Sequence, residues 1–202
     1  MGQISRDAFK KLVLLYLVGK FKDGVYSSYR FQKVLYFATK DSDIHPFEFQ
    51  YTRNGQYSYN ARKNLDALDA IGLVKRTHLA KCEDAGAKWN VERSANSHTQ
   101  LFKVIAPNLA NSIDIGIDKY GYLKREDLIE QAHLDDLLRK AVRGQILFEE
   151  NLPIEIDVNL SDEDCFDLEL SLNPNFVNTI RTLIRGVESG EIPLEQWRKV
   201  DA

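Results

Sequence analysis

Cysteine is scarce in this 202-residue chain, and the two present, Cys82 and Cys165, lie far apart. Such a pair makes neither a disulfide framework nor a zinc knuckle, so reduced thiols are the expectation. Long apolar runs are missing too, since no stretch approaches the ~20 residues needed to cross a bilayer. The start of the chain lacks a basic segment, apolar centre and cleavage site in series, which makes cytoplasmic location the expectation. There is no glycine-rich phosphate loop, no nucleophile elbow, no HExxH pair and no repeat at solenoid period. His78 and Cys82 have a metal-like spacing that His98 could complete, but bland loop residues are the plainer reading. The acids Asp157, Asp162, Glu163, Asp164 and Asp167 lack the spacing and central glycine of a calcium loop. Paired acids such as Asp66 and Asp69 fall on a polar helix face, where acids are common. The chain therefore reads as non-enzymatic, with no metal and no cofactor.

What is present is a composition fit for a sizeable core, 44% hydrophobic and 28% charged,. The net charge of -3 conceals an asymmetry. Residues 1–106 carry 17 Lys and Arg against 10 Asp and Glu, a net of +7, while residues 107–202 carry 10 against 20, a net of -10. A basic half suits polyanions; an acidic half suits a basic partner, polyanion mimicry or contact with the basic half itself. Mixed charges are also ordinary solvated faces. The asparagines, glycines and Pro107 of residues 106–122 place a boundary there, giving a basic domain over 1–106 and an acidic helical domain or extension over 107–202. The nine acids between Glu149 and Glu169, with no Lys or Arg among them, form a solvated face or one that meets a basic partner.

A helix is predicted from Arg6 to about Lys20, capped by Ser5, with Phe9, Leu12, Val13, Tyr16 and Leu17 buried and Lys10 and Lys11 outside. Its LVLLYLV run is apolar nearly all round, so the helix should be central. A second helix begins at Ser27 or Ser28 and carries Phe31, Val34, Leu35 and Ala38 on one face. The alternating FEFQY run then reads as a strand, Arg53-Asn54-Gly55 as a turn, and Ser58 as the cap of a third helix with the stripe Ala61, Leu65, Leu68, Ile71 and a stop at Gly72. LVKRTHLAK, KWNVERS and QLFKVIA read as strands, with CEDAGA and ANSHT as loops. One helix from Lys124 to Gly144, a strand at LPIEIDVNL and a helix from Pro174 to Glu188 complete the reading, with Trp197 pinning the end of the chain. The fold class is α+β, mainly helical, with a winged-helix-like N-terminal core of three helices and a small antiparallel sheet.

Between Tyr29 and Val74, the segments FQKVLYFA, PFEF, NGQYS and LDALDAIGLV resemble the Panacea (SocA-like) antitoxin domain and the related YwgA-like proteins. That family has an LQK-LLY helix, a phenylalanine-rich strand, a YGPYS turn and a helix closing L-GLI. The matching residues are Phe31, Gln32, Lys33, Leu35, Tyr36, Phe47, Phe49, Gly55, Tyr57, Ser58, Leu65, Leu68, Gly72 and Leu73. The family's Gly-Pro stands here as Gly55-Gln56, so the turn lacks the ring that fixes φ. The resemblance implies a protein that binds and neutralises a toxin encoded beside it, and its SocA-like branch implies delivery of a bound protein to a protease. The partner-binding residues it points to are Gln32, Lys33, Tyr36, Gly55, Tyr57 and Ser58, joined by Arg53 of the same turn.

A second function competes. Three helices followed by strands is the order of a winged-helix module, whose third helix enters the major groove of duplex DNA. Tyr57, Tyr59, Asn60, Arg62 and Lys63 would then face the groove, with Arg53, Lys75, Arg76, Lys81, Lys88 and Arg93 available for phosphates. The alternative is therefore a DNA-binding regulator, which could act as a homodimer.

Overall fold

A computed structural model of the chain describes residues 1–78 and 87–193. Lys81, Cys82 and Trp197 lie outside the described residues. A short strand, β1 (Gly2–Ser5), leads into α1 (Arg6–Gly19), where the Ser5 hydroxyl accepts from the Ala8 amide. Ala8 through Val18 are all buried, so α1 is the central helix that its apolar sequence demanded. Two of those residues were expected outside. Lys10 and Lys11 are 5% and 4% exposed, because the acidic half folds over them: Lys10 pairs with Glu150, and Lys11 reaches Asp7 and the Leu172 carbonyl.

Next come β2 (Val25–Tyr26) and α2 (Ser28–Thr39), then a hairpin of β3 (Phe49–Thr52) and β4 (Gly55–Tyr57), then α3 (Tyr59–Ala70). The sequence offered one strand and a turn here; the second strand is three residues long and shows little alternation. The Ser58 hydroxyl caps α3 by accepting from the Ala61 amide, and Gly72 ends it at φ +72°, where a β-carbon would be strained,. The stripe Ala61, Leu65, Leu68 and Ile71 is buried as expected. Strands β5 (Val74–His78) and β6 (Ala87–Val91) pair antiparallel, and β2 adds to the free edge of β6, giving a sheet ordered β2-β6-β5.

ANSHTQLFKVIA was expected to be a loop and a strand but is helical, as α4 (Asn96–Ile105). Its apolar run is short enough to fit either period. Burial of Phe102 between Phe9 and Tyr16, at ring distances of 5.9 and 5.1 Å, selects the helix,. Residues 106–122, expected to be an irregular boundary, are α5 (Pro107–Gly116) followed by one π-helical turn, Ile117–Gly121. Pro107 sits in the first turn of α5, where it needs no amide donor. A single cluster of buried apolar residues runs from Ile4 to Leu172 and takes in Leu109, Ala110, Ile113 and Ile117.

The contact between α2 and α5 is close. A β-carbon on Gly116 would stand 2.5 Å from the Ala38 Cα and 2.6 Å from its Cβ, and neither helix backbone can yield cheaply. Gly116→Ala is therefore expected to lower the unfolding free energy by about 1–3 kcal/mol, read as a shifted midpoint in urea at unchanged slope. A midpoint within error of the parent would show that the two helices separate freely.

The helix expected from Lys124 to Gly144 is two helices, α6 (Arg125–Leu134) and α7 (Asp136–Lys140), with Asp135 between them. Strand β7 (Ile146–Phe148) then joins the hairpin to give the order β4-β3-β7, and β8 (Glu155–Val158) pairs with β1. Helices α8 (Asp162–Ser171) and α9 (Pro174–Glu188) follow, the latter with the expected bounds. The fold is thus α+β and mainly helical, with small antiparallel sheets. Among the described residues no helix is long and apolar enough to cross a membrane.

Candidate functional site

Helix α2 presents two adjacent rows of polar side chains to its neighbours, and every one of them is consumed by a specific contact. Gln32, 2% exposed, clamps the exit of the hairpin: its amide nitrogen donates to the Ser58 carbonyl at 3.1 Å and its oxygen accepts from the Ser58 amide at 2.8 Å. One turn on, the Tyr36 hydroxyl donates to Asp135 Oδ1 at 3.3 Å, and its ring lies among Phe37, Phe49 and Phe148. Another turn on, Lys40 Nζ reaches Asp135 Oδ2 at 2.6 Å. The same carboxylate accepts from the Leu137 and Leu138 amides and so caps α7,. Burial pushes the Asp135 carboxyl up, but Lys40, the Leu138 amide and Tyr36 outweigh it and hold the group below its ordinary range. Burial and the neighbouring Asp135 carboxylate push the Tyr36 hydroxyl well up, so it stays protonated as a donor.

Lys33 sits between these two anchors. It is 3% exposed, its ring neighbour is Tyr29 at 4.6 Å, and its ammonium donates to Gln56 Oε1 at 3.0 Å. Among the described residues no carboxylate pairs with it. Burial lowers its pKa to about 8,. Because Gln56 must turn its oxygen toward this ammonium, its amide nitrogen is left buried without a partner,.

These groups border a cavity of about 560 Å³ between the hairpin and the α6–α7 corner. Lys33, Arg53 and Arg139 supply its cationic lining, His133 adds an imidazole, and Tyr29, Tyr51, Ile129 and Leu138 form its apolar walls. No Asp or Glu lines it. The opposite side of the hairpin holds a second depression of about 400 Å³, where Arg53 and Arg143 meet Tyr51, Tyr57 and Tyr59, again without a carboxylate. Arg53 and Asn54 at the hairpin tip belong to both.

Of the residues that sequence pointed to for partner binding, Lys33, Arg53 and Gly55 therefore line the first cavity, and Tyr57 and Arg53 the second. Gln32, Tyr36 and Ser58 are buried framework that holds the hairpin and the α6–α7 corner in place. Tyr59 is 66% exposed and packs edge-on against Tyr57 at 4.8 Å. Asn60 and Lys63 lie elsewhere, exposed beside Lys10, Lys11 and Pro174. Arg62 and Arg76 are drawn inward: both meet Asp66, at 2.9 and 3.9 Å, and both guanidinium groups approach the buried Trp89,. Lys88 lies over Tyr26 at 4.9 Å. Arg181 of α9 donates to the Ala70 and Ile71 carbonyls, so α9 covers the C-terminal end of α3.

His133, Arg139 and Asp135 were not among the site residues that the sequence pointed to. A signal for Asp135 existed, since an Asp two and three residues before Leu137 and Leu138 is an N-cap pattern, but the continuous apolar spacing concealed it. His98 bonds to Ser171 at 3.0 Å, and no cluster of three potential metal ligands occurs among the described residues. The acidic segment is partly matched by the basic half, through Arg6 and Lys10 on Glu150 and Gln3 on Asp157. No family model, curated protein or solved structure matches this chain.

Proposed function

We propose that this protein is a non-enzymatic, antitoxin-like binding protein that captures and neutralises a partner protein, the product of a neighbouring gene, through the β3–β4 hairpin and the two depressions beside it. The observation that carries this reading is the hairpin itself, with arginines and tyrosines on both sides and no carboxylate in either lining. Tyrosine and arginine are the side chains that dominate interface energies, because they bury large rigid surfaces and still offer hydrogen bonds. The resemblance of FQKVLYFA and NGQYS to Panacea antitoxins supports the same face.

The alternative, a winged-helix DNA-binding regulator, draws on the order α1, β2, α2, α3, β5, β6, interrupted by the β3–β4 hairpin between α2 and α3, and on the sheet order β2-β6-β5. Exposed Tyr59, Asn60, Lys63 and Lys75 would serve it. It stands second because Arg62 and Arg76 are already committed to Asp66 and Trp89, and α9 covers one end of α3.

Tagged purification from the native cell, with and without nuclease, separates the two. Capture of a stoichiometric protein that survives nuclease, weakened at least tenfold by Arg53→Ala with Tyr57→Ala and unchanged by Arg62→Ala with Lys63→Ala, is the expected outcome. Co-purified DNA that is lost at higher salt, with the opposite response to the two variants, would replace this reading with the regulator.

A further inference from the structure

The cavity beside Lys33 holds more donors than acceptors. The Lys33 ammonium meets one oxygen, that of Gln56, whose own buried amide nitrogen has no acceptor, and none of the lining residues is acidic. In native interiors a buried polar group without a partner signals something that meets it. We propose that this cavity binds a carboxylate carried on an apolar or aromatic body, with Lys33 and Gln56 as inner anchors and Arg53 as the outer one. The inference deepens the reading of this face as partner-binding, and rests on it only where the carboxylate belongs to the partner, as a chain terminus. A free small carboxylic acid is the other source of the same chemistry.

Charge matching favours a monoanion. One carboxylate neutralises the one desolvated ammonium and accepts from the Gln56 amide with its second oxygen, leaving no net charge buried. The body of the ligand has Tyr29, Tyr51, Ile129 and Leu138 to lie against, in a volume of about 560 Å³,. Access depends on Gly55. A β-carbon there would stand 3.0 Å from Lys33 Nζ, and the residue's φ of +90° disfavours any side chain,. The glycine thus leaves open the approach to the ammonium.

Lys33 must be charged to hold the ligand. Arg53 from the hairpin, His133 from α6 and Arg139 from α7 face the same cavity together with the phenols of Tyr29 and Tyr51, and Arg139 pairs with Asp136 at 2.8 Å. With the amine titrating near 8 in the free protein, affinity is flat from just above the ligand carboxyl's ordinary range of about 4 up to about pH 7, and about tenfold weaker at pH 9 than at pH 7,.

The test is calorimetric titration of the full chain with phenylacetate, with the tripeptide Ala-Ala-Phe bearing a free C-terminus, and with the same peptide amidated. The expected result is binding of the carboxylates and not of the amide, the fall with pH, and a loss of about tenfold to a hundredfold in Lys33→Met. Phenylacetate binding as tightly as the peptide identifies a free acid as the ligand; tighter peptide binding identifies a chain terminus. The pH series and the amide comparison use the unmodified protein, so they stand whatever the variant does. Absence of carboxylate binding into the millimolar range, equal binding of the amide, or full affinity in Lys33→Met would overturn the inference. Phenylacetate binding without any captured protein partner would instead overturn the antitoxin-like reading and leave this site in place.

Discussion

Asp135→Ala is expected to lower the unfolding free energy by about 3–4 kcal/mol, the largest loss from any single polar substitution near the cavity. The carboxylate is buried and ties α7 to the end of α2: it pairs with Lys40, accepts from the Tyr36 hydroxyl, and caps α7 through the Leu137 and Leu138 amides. Removing it strands two buried donors and a cation, although Lys40 is partly exposed and recovers some hydration. Asp135→Asn keeps an acceptor for the cap and for Tyr36 while losing the charge, so it should cost about half as much. The pH dependence follows from the depressed carboxyl. Its contribution is complete above the ordinary carboxylate range near 3.8 and is lost as pH falls through the lower folded value,. Urea unfolding of both variants from neutral pH into acid would check this. An alanine variant as stable as the asparagine variant would show that the cap and the Tyr36 bond contribute nothing.

Lys33→Met works in the opposite direction, raising stability at neutral pH by about 1–2 kcal/mol while removing the cavity's inner cation. The amine falls from 10.5 in the unfolded chain to about 8 in the folded protein, a difference that costs the fold about 3 kcal/mol while the group is charged,. Losing the bond to Gln56 returns part of that gain,. Because the unfolded state binds more protons between the two values, the stability of the parent should rise with pH from about 8 to 10.5,. The methionine variant should lack that rise. Denaturant midpoints measured at pH 7, 9 and 10.5 for both proteins decide the matter, and parallel curves would mean that Lys33 is solvated in the folded state. A side chain that lowers stability and lines a cavity fits the general antagonism between binding sites and stable cores.

Much of the fold was legible from local pattern. The all-apolar run of α1 marked it as central, Ser5 and Ser58 marked two helix starts and the pair Ser27-Ser28 a third, Gly72 marked a stop, and Pro174 opened α9. These are signals of a few adjacent residues, and each reflects backbone chemistry that operates whatever packs nearby. The misreadings share the opposite character. QLFKVIA is short enough to fit either period, and Phe102 became helical because Phe9 and Tyr16 offered it a slot. Residues 106–122 have the composition of a loop, yet α2 supplies a face close enough to hold a helix through Gly116.

The candidate site divides along the same line. Arg53, Gly55 and Tyr57 lie within five residues of chain, so sequence by itself placed them at one turn, and the family resemblance added Lys33 to them. That Lys33 would be desolvated, that His133 and Arg139 would join it, and that Asp135 would break a helix to reach Tyr36 and Lys40 depended on partners about a hundred residues away. The same holds for Lys10 and Lys11, which periodicity placed in solvent and Glu150 and Leu172 drew inside. Helix periods and caps are set by neighbours along the chain, and so the sequence alone determined them. Burial, charge pairing and the shape of the cavity are set by which distant surfaces meet, and only the tertiary structure decided those.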